Sequence, residues 1–301
     1  MTSRPNANQA QSGVLIIDKP AGWTSHQVVA KVRRLAGSRK VGHAGTLDPM
    51  ATGVLMIGIG KATRLLGYLA LTEKAYQATI RLGVSTVSDD AEGAVTGMAG
   101  AQGVTDDQIE TALAGLRGEL MQVPSAVSAI KIDGVRSYAK VRSGQDVALA
   151  PRQVTISRLE VVGRRDVQAD SITIIDLDVL VECSSGTYVR ALARDLGTIL
   201  RTGGHLTALR RTRVGSFILD EAQTLEDAER ALRIVPLEEV VRSSFATLTV
   251  TETQANYIRY GRRLVGLILP DYTTALFDSA DHFLALYRQE GSDAVAEAVL
   301  V

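Results

Sequence analysis

The sequence predicts an α+β fold: a mixed, largely antiparallel sheet flanked by helices, with a small β domain at the C-terminus. Three observations predict it. Apolar or alternating runs of strand length recur between capped helical stretches up to about residue 240. No apolar run reaches the roughly 18 residues that span a bilayer. After Pro236 the chain breaks into short runs separated by Ser, Thr and Gly turns. With 301 residues, 46% apolar and 22% charged, it can bury one large core plus a small second domain. We therefore expect a lead-in at 1–12, a main domain at 13–240 and a β domain at 245–301. The lead-in is polar and lacks a signal-peptide apolar core, so it reads as disordered. One cysteine, Cys183, excludes a disulfide framework, and with four histidines it gives no zinc pattern. No metal and no cofactor are expected, and the cysteine usage favours a cytoplasmic protein.

The elements follow in order. Residues 13–18, GVLIID, read as a strand, and Lys19-Pro20-Ala21-Gly22 as a turn. Ser25 reads as the N-cap of a helix with Val28, Val29, Val32 and Leu35 on one face, ended by Gly37. Asp48 then sits in a stiff loop bounded by Gly45 and Gly53 and fixed by Pro49. A lone acid held rigidly before a buried strand, GVLMIGIG, is a candidate catalytic carboxylate. An Asp-Pro turn, with the acid bonded to its own backbone, is the alternative. Two nucleotide motifs fail here. GIGKAT lacks the Gly and the Ser or Thr of a phosphate-binding loop, and Thr63 breaks a GxGxxG pattern.

Residues 75–82 alternate as a half-exposed strand carrying Tyr76, followed by a polar loop at 85–93. Thr105 and Gln108 form a capping box before a helix with Ile109, Leu113 and Leu116 inward. Residues 124–152 have no clear period, and long segments of this kind in compact domains are usually functional or disordered. Strands at 153–163 and 171–183 are joined by a charged turn, GRRDVQAD. Ser184-Ser185-Gly186 breaks the second strand. Thr187 opens a helix with Tyr188 and Arg190 in its first turn and Leu192, Leu196 and Leu200 on one stripe. An acidic helix at 225–232 precedes strands at 245–250, 264–269, 274–278 and 282–288.

The net charge is zero, yet it is split. Residues 1–218 hold 26 Lys and Arg against 19 Asp and Glu, and residues 219–301 hold 7 against 14. Basic runs at 31–40 and 201–213 contain no acid. Such runs suit phosphate contacts, with a solvated helix face or ion pairs as the alternative.

The run GHAGTLDPMATGVL at 42–55 closely resembles the central motif of the TruB-type tRNA pseudouridine synthases. DKPAGWTSH, KAYQATIRLG, PSAVSAIKIDGVRSYAKVR, CSSGTYVRALARDLG and GGHLTALRRTRVGSF extend the resemblance from residue 13 to about 240. It implies a pseudouridine-synthase fold with a PUA-like C-terminal module, and a stand-alone isomerase that makes pseudouridine in the T-loop of tRNA, conventionally position 55. Asp48 is then the catalytic residue, acting on a flipped-out base by attack at C1′, attack at C6 or proton abstraction at C2′. Tyr76 stacks on the base, Tyr188 packs in the site, Arg190 pairs with the catalytic carboxylate, Leu209 lines the uracil pocket and His43 helps position substrate. The segment 124–152 becomes an RNA-binding insertion. Lys19, Lys131, Arg136, Lys140, Arg142, Arg210 and Arg211 become contacts to the RNA backbone, and Tyr138 is either an anchor or local packing. The loop at 85–93 departs from the family, with Thr86-Val87-Ser88 where a Thr-Asp-Thr-like pattern is common. The implied partner is the tRNA T-arm, met by a monomer without guide RNA, obligatory protein partner or membrane. A non-catalytic RNA-binding protein on the same scaffold is one rival. A guide-dependent enzyme of the box H/ACA kind is another, whose longer chains and basic tails this acidic C-terminus does not match.

Overall fold

A computed structural model describes residues 12–127, 149–168 and 172–301, with the backbone alone at 131–132, 135–136 and 169. Tyr138, Lys140 and Arg142 lie outside the described residues, as do the side chains of Lys131 and Arg136 and the lead-in up to residue 11.

In chain order the elements begin with β1 (Gly13–Lys19), α1 (Ser25–Leu35), β2 (Val41–Ala44), β3 (Thr52–Ile59) and α2 (Leu66–Leu69). Next come β4 (Lys74–Leu82), β5 (Ser85–Thr86), β6 (Val95–Gly97), α3 (Asp106–Ala114) and β7 (Gly118–Gln122). β8 (Lys131–Ile132), β9 (Val135–Arg136), β10 (Arg152–Ala169), β11 (Ile172–Cys183), α4 (Val189–Ile199) and β12 (Gly204–Val214) follow. The chain continues through β13 (Phe217–Ile218), α5 (Leu225–Arg230), β14 (Val235–Pro236), α6 (Leu237–Ser244), β15 (Ala246–Thr249) and α7 (Glu252–Arg259). It ends in β16 (Thr273–Phe277), β17 (Phe283–Glu290) and β18 (Asp293–Val299). No helix among the described residues is long and apolar enough to cross a membrane.

The contacts divide the chain into two compact units. One gathers the chain up to Asp48, Val54–Ala70 and the chain from Gly215 onward; the other holds Pro49–Gly53 and Leu71–Val214.

In the first unit, β14, β1 and β3 lie side by side and β2 pairs antiparallel with β3. β1 and β3 are apolar along nearly their whole length because both faces are covered, which is what a continuous apolar run predicts. Helix α1 buries Val28, Val29 and Val32 as its stripe predicts. Its cap is not Ser25 but Thr24, whose side chain and that of Gln27 form a capping box. The unit ends in a four-stranded sheet, β15-β16-β17-β18, over a core of Val250, Ile258, Leu276, Leu284 and Tyr287. Residues 264–269, expected as a strand, are not one. Leu264 makes only an isolated bridge to Ala294, and with Leu269 it closes the core while Val265 and Ile268 stay exposed. Helix α7 with its Thr251–Gln254 capping box, helix α6 and strand β18 were not expected.

In the second unit the strand order is β12-β4-β11-β10-β7, every neighbour antiparallel. The first residues of β3 pair with β12 in parallel, Thr52 with Arg210 and Gly53 with Arg211, which makes the sheet mixed. β4 alternates as predicted, burying Lys74, Tyr76, Ala78, Ile80 and Leu82. Helix α4 buries Leu192 and Leu196. The charged turn expected at 163–170 is instead strand as far as Ala169. Arg165 lies opposite Asp176 and ion-pairs with Asp178, and Arg164 pairs with Asp166 and Asp106. Opposite charges facing across strands stabilise the pairing, so the run extends β10 rather than ending it.

Candidate active site

The loop carrying Asp48 is built on its backbone. Gly45 takes φ +71°, a conformation that disfavours any side chain. Leu47 is buried, and the hydroxyl of Ser25 grips it at both ends. It donates to the Leu47 carbonyl at 3.0 Å and accepts from the Leu47 amide at 3.0 Å. Asp48 follows, half-buried. Gly53, at φ +100°, starts β3 so close to β12 that a Cβ would lie 2.1 Å from the Arg211 carbonyl oxygen. His43 in β2 meets His26 edge-on, ring centroids 5.4 Å apart.

Lys19 requires a correction. It was expected on the RNA backbone, but its side chain is completely buried, with Nζ donating to the carbonyls of Pro20 at 2.9 Å and Trp23 at 2.6 Å. A buried ammonium must find such partners. This one ties the Lys19-Pro20-Ala21-Gly22 turn to the end of β1.

In the second unit Tyr76 is 7% exposed on the inward face of β4, opposite Val181 of β11 and Arg211 of β12. Leu209 lies opposite Ala78. Leu209 and Arg210 line one cleft of about 470 Å³ with Met50, Thr52, Gln77 and Thr79. Tyr188 caps the N-terminus of α4 through its backbone, which Gln122 holds at both ends. The amide of Tyr188 donates to Gln122 Oε1 at 2.8 Å, and Gln122 Nε2 donates to the Tyr188 carbonyl at 3.1 Å. Arg152 lies over the Tyr188 ring at 5.7 Å.

Arg190 is 4% exposed and heavily engaged. It donates to the carbonyls of Ser88 at 2.7 Å and Val127 at 3.0 Å, and pairs with Asp90 at 3.2 Å. Asp90 is itself held by the Ser88 hydroxyl at 2.5 Å and the Glu92 amide at 3.1 Å. A buried ion pair needs such extra bonds to offset desolvation. The adjacent Asp89 sits at φ +60°. Burial pushes its carboxyl up, while Arg194, 3.3 Å away, pulls it down. Lys74 is held down to about 8 by burial and then by Arg211. Among the described residues no cluster of three or more His, Cys, Asp or Glu is spaced to hold a metal ion.

The basic runs are acid-free in sequence but paired in space. Lys31 pairs with Glu229, and Arg33 donates to the Val41 carbonyl at 3.1 Å. Arg213 pairs with Glu182 at 2.6 Å, and Arg210 donates to Thr52 Oγ1 at 3.1 Å. Arg211, expected on the RNA backbone, is 1% exposed and so is corrected to a buried residue. In the C-terminal module Arg263 is shared between Glu290 and Asp293, and Arg262 lies over the rings of Tyr257 and Tyr260.

Reasoning from sequence missed Asp90, Gln122 and the bond of Ser25 to Leu47. Gln122 left no local signal, since its burial in β7 appears only in the fold. Asp90 lies in the loop at 85–93, where no local pattern marks it as the partner of Arg190.

A family model described as the TruB family pseudouridylate synthase N-terminal domain matches residues 33–189. One described as the tRNA pseudouridylate synthase B C-terminal domain matches residues 190–243. A tRNA pseudouridine synthase B of Arthrobacter sp. is 55% identical, covering 93% of this chain and 90% of the relative. One from Cutibacterium acnes is 54% identical, covering 98% and 99%. Among solved structures, a chain of a Cbf5-Nop10-Gar1 complex superposes at TM-score 0.71 and 25% identity, over 99% of this chain and 88% of that one. A chain of an H/ACA RNP bound to a substrate RNA containing 2′-deoxyuridine superposes at TM-score 0.69, also at 25% identity, over the same shares of the two chains.

Proposed function

The chain belongs to the TruB family of pseudouridylate synthases, and from that premise we propose that it isomerises uridine to pseudouridine in tRNA, at the T-loop uridine of position 55. What carries the reading is an identity above 50% over almost the whole of both chains to enzymes named tRNA pseudouridine synthase B; the T-loop position comes from the motif resemblance. The solved neighbours from H/ACA particles stand at about half that identity, which favours a tRNA enzyme without a guide RNA; action as a monomer belongs to the same reading. A cytoplasmic location and a PUA-like role for the sheet at 246–299 belong to the same reading.

The reaction breaks the N1–C1′ bond, turns the base and joins C5 to C1′, with no net gain or loss of atoms. Asp48 is the residue that acts on the nucleotide. Attack at C1′, attack at uracil C6 and proton abstraction at C2′ all begin from the same ionised carboxylate. The base must first leave its stack, at a cost of a few kcal/mol. Tyr76 stacks on it, Tyr188 packs beside it, and Leu209 keeps water out, which favours rejoining over hydrolysis. By the family resemblance Arg190 is the cationic partner of the catalytic carboxylate, and Asp90, 3.2 Å away, positions Arg190. His43 helps to seat the substrate. Lys131, Arg136, Lys140, Arg142 and Arg210 meet phosphates of the T-arm, which RNA proteins read largely by shape.

The test is to incubate the purified protein with an unmodified tRNA transcript and map pseudouridine by chemical probing. The expected result is modification at the single T-loop uridine, absent with Asp48→Asn. Tight tRNA binding without any modification would overturn the reading in favour of a binding protein.

A further inference from the structure

We infer that Ser25 is a positioning residue for Asp48, an inference that rests on the catalytic reading of that carboxylate. The observation is the two-ended grip described above. One hydroxyl, 1% exposed and 22 residues upstream, satisfies both the amide and the carbonyl of Leu47, the residue directly before Asp48. A hydroxyl can do this because it carries one donor and two lone pairs. Leu47 is 4% exposed, so its peptide groups need partners inside the protein.

The helix does not require this hydroxyl. Thr24 supplies the cap of α1, accepting from the Gln27 amide at 3.2 Å while the Gln27 side chain returns to the Thr24 amide at 2.8 Å. Ser25 is therefore released from the role its sequence position suggests and turned inward onto the loop. Alanine at 25 removes both bonds at once. Aspartate offers no donor for the carbonyl when ionised. Threonine keeps the chemistry but adds a methyl group where almost no space is open. The loop is held through its backbone, so the grip sets where the Asp48 Cα stands without engaging its carboxylate. A displacement of about 1 Å at a reacting group costs about 10²-fold in rate.

The experiment compares wild type, Ser25→Ala and Thr24→Ala by single-turnover pseudouridine formation, tRNA affinity and amide hydrogen exchange at Leu47. Thr24→Ala removes the cap of α1 and leaves Leu47 alone, whereas Ser25→Ala keeps the cap and removes both bonds to Leu47. The expected result is a slowly exchanging Leu47 amide in the wild type and faster exchange in Ser25→Ala. The Ser25→Ala rate should fall about 10- to 100-fold with tRNA affinity within about threefold. Thr24→Ala should keep its rate within about threefold. Equal rate losses in the two variants would assign Ser25 to the helix alone and overturn the inference. So would a full-rate Ser25→Ala, or a wild-type Leu47 amide that exchanges like an open loop, a readout that stands even where the variant fails to fold. A wild type that forms no pseudouridine overturns the functional reading itself, and this inference with it.

Discussion

The loop of Asp48 and the cluster around Arg190 are held by different forces. The loop that leads into Asp48 is shaped through its backbone: a glycine at φ +71° and a serine hydroxyl on Leu47. Arg190 is placed by charge: Asp90 at 3.2 Å, with two carbonyls filling further donors of its guanidinium. The difference teaches that a tight loop can be shaped by neutral bonds to its main chain, whereas a buried cation needs a counter-charge and carbonyls to offset its desolvation.

The contrast can be broken at either end. Asp48→Asn should have the largest effect on function, a loss of turnover by more than about 10⁴-fold with tRNA affinity within about tenfold, because only the chemical step is touched. Comparable losses in binding and turnover would place Asp48 among the binding groups. Arg190→Met should have the largest effect on stability, because Asp90 is left buried without its cation. A loss of about 3–5 kcal/mol in urea unfolding is expected. Gln122→Ala removes both bonds to the Tyr188 backbone and should cost about 1–3 kcal/mol in the same assay.

The charged side also carries a pH signature, through Lys74. Its folded value is lowered to about 8 from the ordinary 10.5, by burial first and then by Arg211. Between those values the unfolded chain binds a proton that the folded chain does not, so stability should rise with pH across that window. Below pH 8 both states are protonated and the slope vanishes. Lys74→Met should lack the rise, as read from denaturant midpoints between pH 7 and 10.5. The smallest effect is expected at Tyr260, 79% exposed beside Arg262. Tyr260→Ala should change stability by less than about 0.5 kcal/mol.

Much of the fold was legible. The continuous apolar run before Ile59, the alternation of residues 75–82 and the Thr105–Gln108 box are local patterns that read the same in chain and structure. Local reading failed where a partner far along the chain decided the outcome. Residues 163–169 look like a turn until Asp176 and Asp178 face their arginines. Residues 264–269 look like a strand until their apolar side chains are seen to divide between core and solvent. Lys19 and Arg211 look like surface cations until burial removes them.

What the sequence by itself determined is a set of local features: a carboxylate in a Gly- and Pro-stiffened loop, with Tyr76, Tyr188 and Arg190 at motif positions. Backbone preference and residue type are local properties, so they survive without the fold. What only the tertiary structure decided is how these groups are held. Ser25 reaches Leu47, Gln122 reaches Tyr188 and Asp90 reaches Arg190 across 22, 66 and 100 residues respectively. Such contacts depend on which buried polar groups meet once the chain has closed, and no local pattern encodes that meeting.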